Sequence, residues 1–222
     1  MTQWLKEGDV WDQLGGGLQE IEATFLKDLA TLVSRPGMVG FDTGCFTGWT
    51  ASQVWDIFGI NGGHFYCVDW FLGNVESVVG TFQWGAYPSE QVLLQLLKNI
   101  EISNAKEFVS VIIDESWRPA ALIPNASIDY VYIGGDHTYS GIQRDLLAWL
   151  PKVRPGGVIC GHAYDRYVDP DSEEWKELCL QNEQDYYASY NCHFGVNRAL
   201  HEIIKPGYSV KGNCWAAYRP VS

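Results

Sequence analysis

Leu18, Ile21, Phe25, Leu29 and Leu32 recur at spacings of three and four, which predicts a helix that lays one apolar face on a core. Arg35-Pro36-Gly37 ends that pattern, and the apolar run from 38 to 42 then reads as a short buried strand. Further on the two periods alternate: helix near 48 to 58, strand 64 to 69, helix near 89 to 101, strands 107 to 113 and 128 to 133, helix near 140 to 150, strand 157 to 161. The helix near 89 opens at Pro88-Ser89, a suitable cap, and carries Val92, Leu93, Leu96, Leu97 and Ile100 along one stripe. A helix is expected over 196 to 204. The strand-like runs 208 to 211 and 214 to 218 follow, joined by Gly212-Asn213, a hairpin signal. The expected fold is therefore α/β: a mostly parallel sheet closed by a C-terminal antiparallel hairpin, with helices on both faces. One domain is expected over 1–222, with 1–35 as an N-terminal helical segment and 163–193 as an insert.

Composition narrows the function. The 222-residue chain is 46% hydrophobic and 19% charged, which suits one globular domain. Its formal net charge of −12 repels phosphate backbones and anionic lipid, and its 15 Lys and Arg form no run, so neither nucleic acid nor a membrane surface is an expected partner. The segment Met1-Thr2-Gln3-Trp4-Leu5-Lys6-Glu7 lacks the features of a secretory leader, and a cytoplasmic protein is expected. Six cysteines at 45, 67, 160, 179, 192 and 214 have no Cys-x-x-Cys pair and read as free thiols. Ten tryptophans supply core or interface mass, and also suit the lining of an apolar pocket.

The chemistry begins where the first strand breaks. Val39-Gly40-Phe41-Asp42-Thr43-Gly44-Cys45-Phe46-Thr47-Gly48 is a strand running into a glycine turn that opens a helix, a place where backbone can approach a ligand closely. Phe46 occupies the position of the middle glycine in the dinucleotide fingerprint, which argues against NAD or FAD. The second strand ends in Asp69, 27 positions after Asp42, where a carboxylate can accept both hydroxyls of a ribose.

These residues resemble the first two motifs of class I S-adenosylmethionine-dependent methyltransferases. The resemblance implies a Rossmann-like, seven-stranded sheet. It also implies a turn of Asp42, Gly44, Cys45, Phe46 and Gly48 beneath S-adenosylmethionine, Asp69 on the ribose and Trp70 against the adenine. Asp114 and Glu115, after the third strand, fall where the family contacts the adenine; they equally suit a solvated turn. Ile133-Gly134-Gly135-Asp136-His137 and Gly161-His162-Ala163-Tyr164 resemble a subfamily whose fourth strand ends Ile-Asp-Gly-Asp-His and whose fifth ends Gly-His-Asp-Tyr. The late segment Phe194-Gly195-Val196-Asn197-Arg198-Ala199 fits the same subfamily.

Two departures matter. Where that subfamily has aspartates, this chain has Gly134 and Ala163. In related O-methyltransferases acids at those places hold a divalent metal that lowers the acceptor hydroxyl's pKa. No catalytic metal is expected here, and Gly134 joins the cofactor set. His137 and His162, with Asp136, become the candidates for proton abstraction, since an imidazole titrates near neutrality. Either histidine also suits a purely structural role beside strand-end carbonyls. Tyr139, Tyr164 and Trp84 are the candidate substrate contacts. Trp84 belongs to an aromatic segment over 70 to 87 with Phe71, Phe82 and Tyr87, and a second over 165 to 192 holds Tyr167, Trp175, Tyr186, Tyr187 and Tyr190. Both suit a cover over a flat or apolar acceptor, and both also suit a homodimer contact. The expected function is methyl transfer to a small molecule, at oxygen and without metal; the alternative is a cofactor-binding protein of this fold that has lost the transfer step.

Overall fold

The computed structural model describes residues 18–72, 89–181, 187, 189–205 and 207–220. Trp84, Phe82, Tyr87 and Tyr186 lie outside them, as does the segment before residue 18. The elements in chain order are α1 (Glu20–Leu32), β1 (Val39–Thr43), α2 (Trp49–Ser52), α3 (Trp55–Ile60), β2 (His64–Asp69), α4 (Ser89–Ile102), β3 (Val109–Ile113), a 3-10 turn (Arg118–Leu122), β4 (Ile128–Ile133), α5 (Tyr139–Trp149), β5 (Val153–Gly161), α6 (Glu173–Leu180), α7 (Phe194–Ala199), a π-helical turn (Leu200–Ile204), β6 (Tyr208–Lys211) and β7 (Cys214–Tyr218).

The seven strands form one sheet in the order β3-β2-β1-β4-β5-β7-β6. The first five are parallel; β7 runs antiparallel to both β5 and β6. Strand order reverses between β1 and β4, and in open α/β sheets the crevice at such a switch, outside the strands' carboxyl ends, is where ligands bind. β4 is buried along all six residues, as a central strand covered on both faces must be. One core packs Leu26, Trp55, Phe58, Phe65, Leu96 and Tyr130 beneath α1, α3 and α4. The other packs Phe41, Ile142, Leu146, Trp149 and Trp215 beneath α5 and α7. Among the described residues no helix is long and apolar enough to cross a membrane, and all six cysteines are free.

Several elements depart from their sequence pattern for identifiable reasons. α1 is rotated from the expected face: Leu26, Leu29 and Ala30 are buried, whereas Ile21 is 47% and Leu32 71% exposed. Glu22 takes a place on the buried face because its carboxylate accepts the Gln19 amide (2.8 Å) and the Asn213 amide (2.7 Å), tying α1 to the β6–β7 turn. The single helix expected near 48 to 58 is two. Ser52 and Gln53 turn their side chains onto the Trp49 carbonyl (2.6 and 3.4 Å), competing with the helical ladder where α2 stops. In α4, Leu97 of the expected stripe is exposed, and Asn99 is buried instead because its amide donates to the Thr47 carbonyl at 2.9 Å. β5 begins at Val153, four residues before the expected start. Pro155-Gly156-Gly157 is not its boundary but an irregularity within it, since the pairing slips between Ile128↔Val153 and Tyr130↔Val158. The insert contains an unanticipated helix, α6, capped by the Ser172 hydroxyl accepting the Trp175 amide at 3.0 Å.

The lower end of the sheet is fixed by Asp129, second residue of β4, whose side chain is wholly buried. It accepts Arg35 Nε (2.6 Å) and Nη2 (3.1 Å), Arg154 Nε (2.5 Å) and the Val39 amide (2.8 Å), so one carboxylate joins α1's end, β1, β4 and β5. Removing one partner of a buried pair costs about 3–5 kcal/mol; Arg35 and Arg154 remain 45% and 24% exposed, which places the cost near the lower bound. Asp129→Ala is therefore expected to lower unfolding free energy by roughly 3 kcal/mol in a urea titration. A change under about 0.5 kcal/mol would contradict this account of the anchor.

Candidate active site

The turn after β1 is shaped by backbone contacts before any ligand is considered. Gly44 has φ +79°, and a Cβ there would lie 2.5 Å from the Gly135 Cα and amide nitrogen, so glycine is required by both conformation and space. The β1 turn thus rests directly on the β4 turn, and the Gly134 amide donates to the Thr43 carbonyl at 2.7 Å. Gly48 has φ +80°, with Leu96 Cδ1 2.5 Å from the position of a Cβ. Phe46, a non-glycine, also takes positive φ (50°), which turns its amide onto Asp69 Oδ2 at 2.8 Å.

Two carboxylates face this turn. Asp42 is 1% exposed, and neither of its oxygens has a hydrogen-bond partner among the described residues. Burial pushes its carboxyl up to about 8, with repulsion from Asp69 adding to it; the Ala51 backbone amide lies near enough to oppose the shift but outside hydrogen-bonding geometry. Asp69 accepts the Phe46 amide on one oxygen and the Phe71 amide (2.8 Å) on the other. Burial raises its carboxyl as well, with those amides pulling the other way. A carboxylate has about four acceptor sites, so Asp69, with the Phe46, Phe71 and Trp70 amides on it, retains acceptor capacity for a ligand hydroxyl. Cys45 is buried in the turn, its thiol pushed up by burial and by Cys67 beside it. Trp70 is partly buried at the end of β2.

Beyond β3, Asp114 and Glu115 both lean on Arg118, at 3.6 and 3.5 Å. Arg118 and Arg144 each lie over the Trp117 ring, 5.6 and 5.7 Å from its centre. Ser116 and Trp117 belong to the same segment after the third strand, where the sequence alone assigns them no individual role. Ser116 donates to Asp145 Oδ1 at 2.7 Å, and burial pushes that carboxyl up to about 7. The signal was the Ser-Trp pair directly following the acids.

The ends of β4 and β5 bring His137 and His162 together, ring centres 4.6 Å apart and nearly perpendicular. The Tyr132 hydroxyl lies 2.9 Å from His162 Nδ1. His193, which no motif had marked, joins them with its ring 5.0 Å from His137, and its Nδ1 bonds Asp165. Asp136 is turned away into a local cap: its oxygens accept the Thr138 amide and hydroxyl, both at 2.9 Å. The Tyr139 hydroxyl donates to Glu202 and accepts from Gln143 at 2.9 Å, while Arg198 covers its ring at 4.0 Å. That ties α5 to the segment after α7. Tyr164 is buried against Tyr208, the hydroxyls 3.4 Å apart. A Cβ at Gly134 would meet the Tyr132 ring at 2.9 Å, and Ala163 holds φ +64°.

The arrangement therefore has two halves: a glycine turn with one buried acid, Asp42, and one partly buried, Asp69, and a histidine group across the switch point. A family model described as a methyltransferase domain matches residues 41–164, more than half of the chain. No protein of curated function matches. Solved structures share the fold at low identity. A Corynebacterium glutamicum protein is 12% identical over 98% of this chain and 93% of its own, with a TM-score of 0.65. The O-methyltransferase TomG of Streptomyces achromogenes, involved in tomaymycin synthesis and solved with S-adenosylmethionine, is 11% identical over 92% and 82%, with a TM-score of 0.60. Cofactor-bound Rv0187 from Mycobacterium tuberculosis is 15% identical over 92% and 83%, with a TM-score of 0.56. The matched region contains the end of β1 with its turn, Asp69 and the ends of β4 and β5, and the chain belongs to the methyltransferase-domain family.

Proposed function

We propose that the chain transfers a methyl group from S-adenosylmethionine to a hydroxyl of a small molecule, without a catalytic metal. The observation that carries this reading is Asp42: a buried carboxylate with both oxygens unpaired, set beside a glycine turn, fits a ligand that brings hydrogen-bond donors and positive charge. S-adenosylmethionine does so through its ammonium and sulfonium groups, and when bound it supplies an activated methyl. Asp42, Gly44, Cys45, Phe46 and Gly48 would hold its amino-acid end, with Gly134 closing the turn. Asp69 would take the ribose, and Trp70, Asp114 and Glu115 the adenine. The acceptor hydroxyl would lie at the histidine group, where an imidazole removes its proton; Asp136, Tyr139, Tyr164 and Trp84 are proposed around it.

The metal-free reading rests on residue chemistry. Divalent hard cations need several oxygen ligands, and Gly134 and Ala163 provide no side-chain oxygen. Tyr132 packs where a side chain at 134 would begin. Support for a small acceptor comes from the O-methyltransferase neighbour and from a surface charge unsuited to nucleic acid. A cytoplasmic setting and a homodimer remain part of the proposal.

Incubation with methyl-labelled donor and a panel of hydroxylated aromatics is expected to give labelled product at a rate unchanged by EDTA. Inhibition by EDTA that Mg²⁺ restores would contradict the metal-free reading. Asp42 gives a second expectation for the ligand-free chain. Its carboxyl titrates near 8 when folded and near 3.8 when unfolded, so above pH 4 the unfolded state binds fewer protons and stability falls as pH rises toward 8. Asp145 contributes a slope of the same sign. In melting-temperature profiles Asp42→Asn should flatten part of the decline between pH 4 and 8, and parallel profiles would contradict the assignment.

A further inference from the structure

We infer that Asp145, on α5, is a positioning residue for the adenosyl donor: it engages the hydroxyl hydrogen of Ser116, so that Ser116 meets the ligand's base as an acceptor and selects a 6-amino purine over a 6-oxo one. This rests on the methyl-transfer reading above and deepens its adenine end.

The fold brings Ser116 to the place where a base must lie. In a nucleoside the base is joined to the ribose, and the proposed ribose acid is Asp69. The Asp69 carbonyl accepts the Asp114 amide at 3.2 Å, which starts the segment after β3 directly beside it. Two of the acids in that segment are engaged with their own neighbours: Asp114 Oδ1 accepts the Glu115 amide at 2.8 Å, and Asp114 and Glu115 both lean on Arg118 at 3.6 and 3.5 Å. Ser116 instead lies on the β4 turn. A Cβ at Gly135 would be 3.4 Å from Ser116 Cβ and 3.6 Å from its Oγ, and the Gly135 Cα lies 2.5 Å from the position of a Cβ on Gly44. Ser116 is therefore one residue removed from the glycine turn, and it is only partly buried.

Asp145 determines what that hydroxyl can offer. It is wholly buried, its Oδ1 accepts the Ser116 hydroxyl at 2.7 Å, and its Oδ2 has no hydrogen-bond partner among the described residues. The Trp149 indole nitrogen donates to the Ser116 carbonyl at 2.9 Å, so α5 holds both the backbone and the side chain of Ser116. A serine hydroxyl has one hydrogen and two lone pairs. With the hydrogen on Asp145, only lone pairs are left for a ligand. The exocyclic amine of adenine brings a donor to them, whereas the 6-oxo group of hypoxanthine sets one acceptor against another.

The same pair gives the selection a pH dependence. Burial pushes the Asp145 carboxyl up to about 7; Ser116 and Arg144, on the same helix as Asp145, pull it down, and Asp136, after β4, adds to the rise. Above that value the carboxylate is acceptor-only and holds the Ser116 hydrogen. Below it the acid has a hydrogen of its own to give, Ser116 is released to turn, and the distinction between the two bases weakens.

Isothermal titration with S-adenosylhomocysteine and with its deaminated analogue, S-inosylhomocysteine, tests this. The two ligands share the amino-acid end and the ribose, so titration of Asp42 or Asp69 cancels in the ratio of their affinities. At pH 8 the parent chain is expected to prefer the adenine ligand by about 10-fold or more, with the preference shrinking toward pH 6. Asp145→Asn should give a ratio that no longer changes with pH, and Ser116→Ala should cut the preference to about threefold or less. Melting temperatures taken alongside show whether each variant is folded. A purely structural role for Asp145 would move the melting temperature and leave the ratio and its pH profile as they are. Equal affinity for the two ligands in the parent chain, or the parent's pH profile persisting in Asp145→Asn, would overturn the inference while the methyl-transfer reading stands. Absent S-adenosylhomocysteine binding in the parent chain would instead overturn that reading, and this inference with it.

Discussion

The site depends on one contact, the meeting of two bare backbones at the switch point. Gly44 at the end of β1 lies against Gly134-Gly135 at the end of β4, closer than any side chain would permit. This approach draws the β1 turn inward and leaves its remaining amides to be ordered by β2: Gly44 and Cys45 donate to the Val68 carbonyl at 2.8 and 3.1 Å, and Phe46 to Asp69. A turn with its amides spoken for does not cradle a pyrophosphate. It presents instead the acids at its two ends. That distinction separates this crevice from a dinucleotide site on the same topology.

Holding Asp42 buried is an electrostatic cost that the surrounding core imposes, since its partners on the two flanking strands, Cys67 and Tyr132, are buried as well. The fold tolerates this because stability is supplied elsewhere, notably by Asp129 with its two arginines at the opposite end of the same strands. Order at one end of the sheet supports an unsatisfied group at the other, a common division of labour between scaffold and site. Across the crevice the tyrosine–histidine and aspartate–histidine pairs are the counterpart. Each imidazole has its Nδ1 held by a side-chain partner from a different element of the fold.

Much of this was legible because local pattern and tertiary role agree. β2, β4 and the hairpin strands have the bounds their periodicity implied, and the Asp42 to Gly48 turn with Asp69 was visible as spacing alone. What escaped was set by distant partners. Glu22 reads as a solvent residue until the Asn213 amide, 191 positions away, meets it. Pro155-Gly156-Gly157 reads as a turn until Arg219 pairs with it on both sides (Gly156 amide to Arg219 carbonyl 2.8 Å, Arg219 amide to Gly157 carbonyl 3.0 Å). His193 carries no motif, and its partner Asp165 is 28 positions earlier in a segment without periodicity. Tyr139 stood beside the histidines in sequence, yet its hydroxyl is held by Glu202, a residue that only the packing of α5 on α7 brings near.

The account stands on the claim that the Asp42–Gly48 turn and Asp69 hold an adenosyl ligand. Isothermal titration of the chain and of Asp69→Ala with S-adenosylhomocysteine tests it most directly. Saturable one-to-one binding, weakened about 10- to 100-fold by the substitution as expected for lost hydrogen bonds to a charged group, is the predicted result. No binding heat up to millimolar ligand, or equal affinity in both proteins, would contradict it.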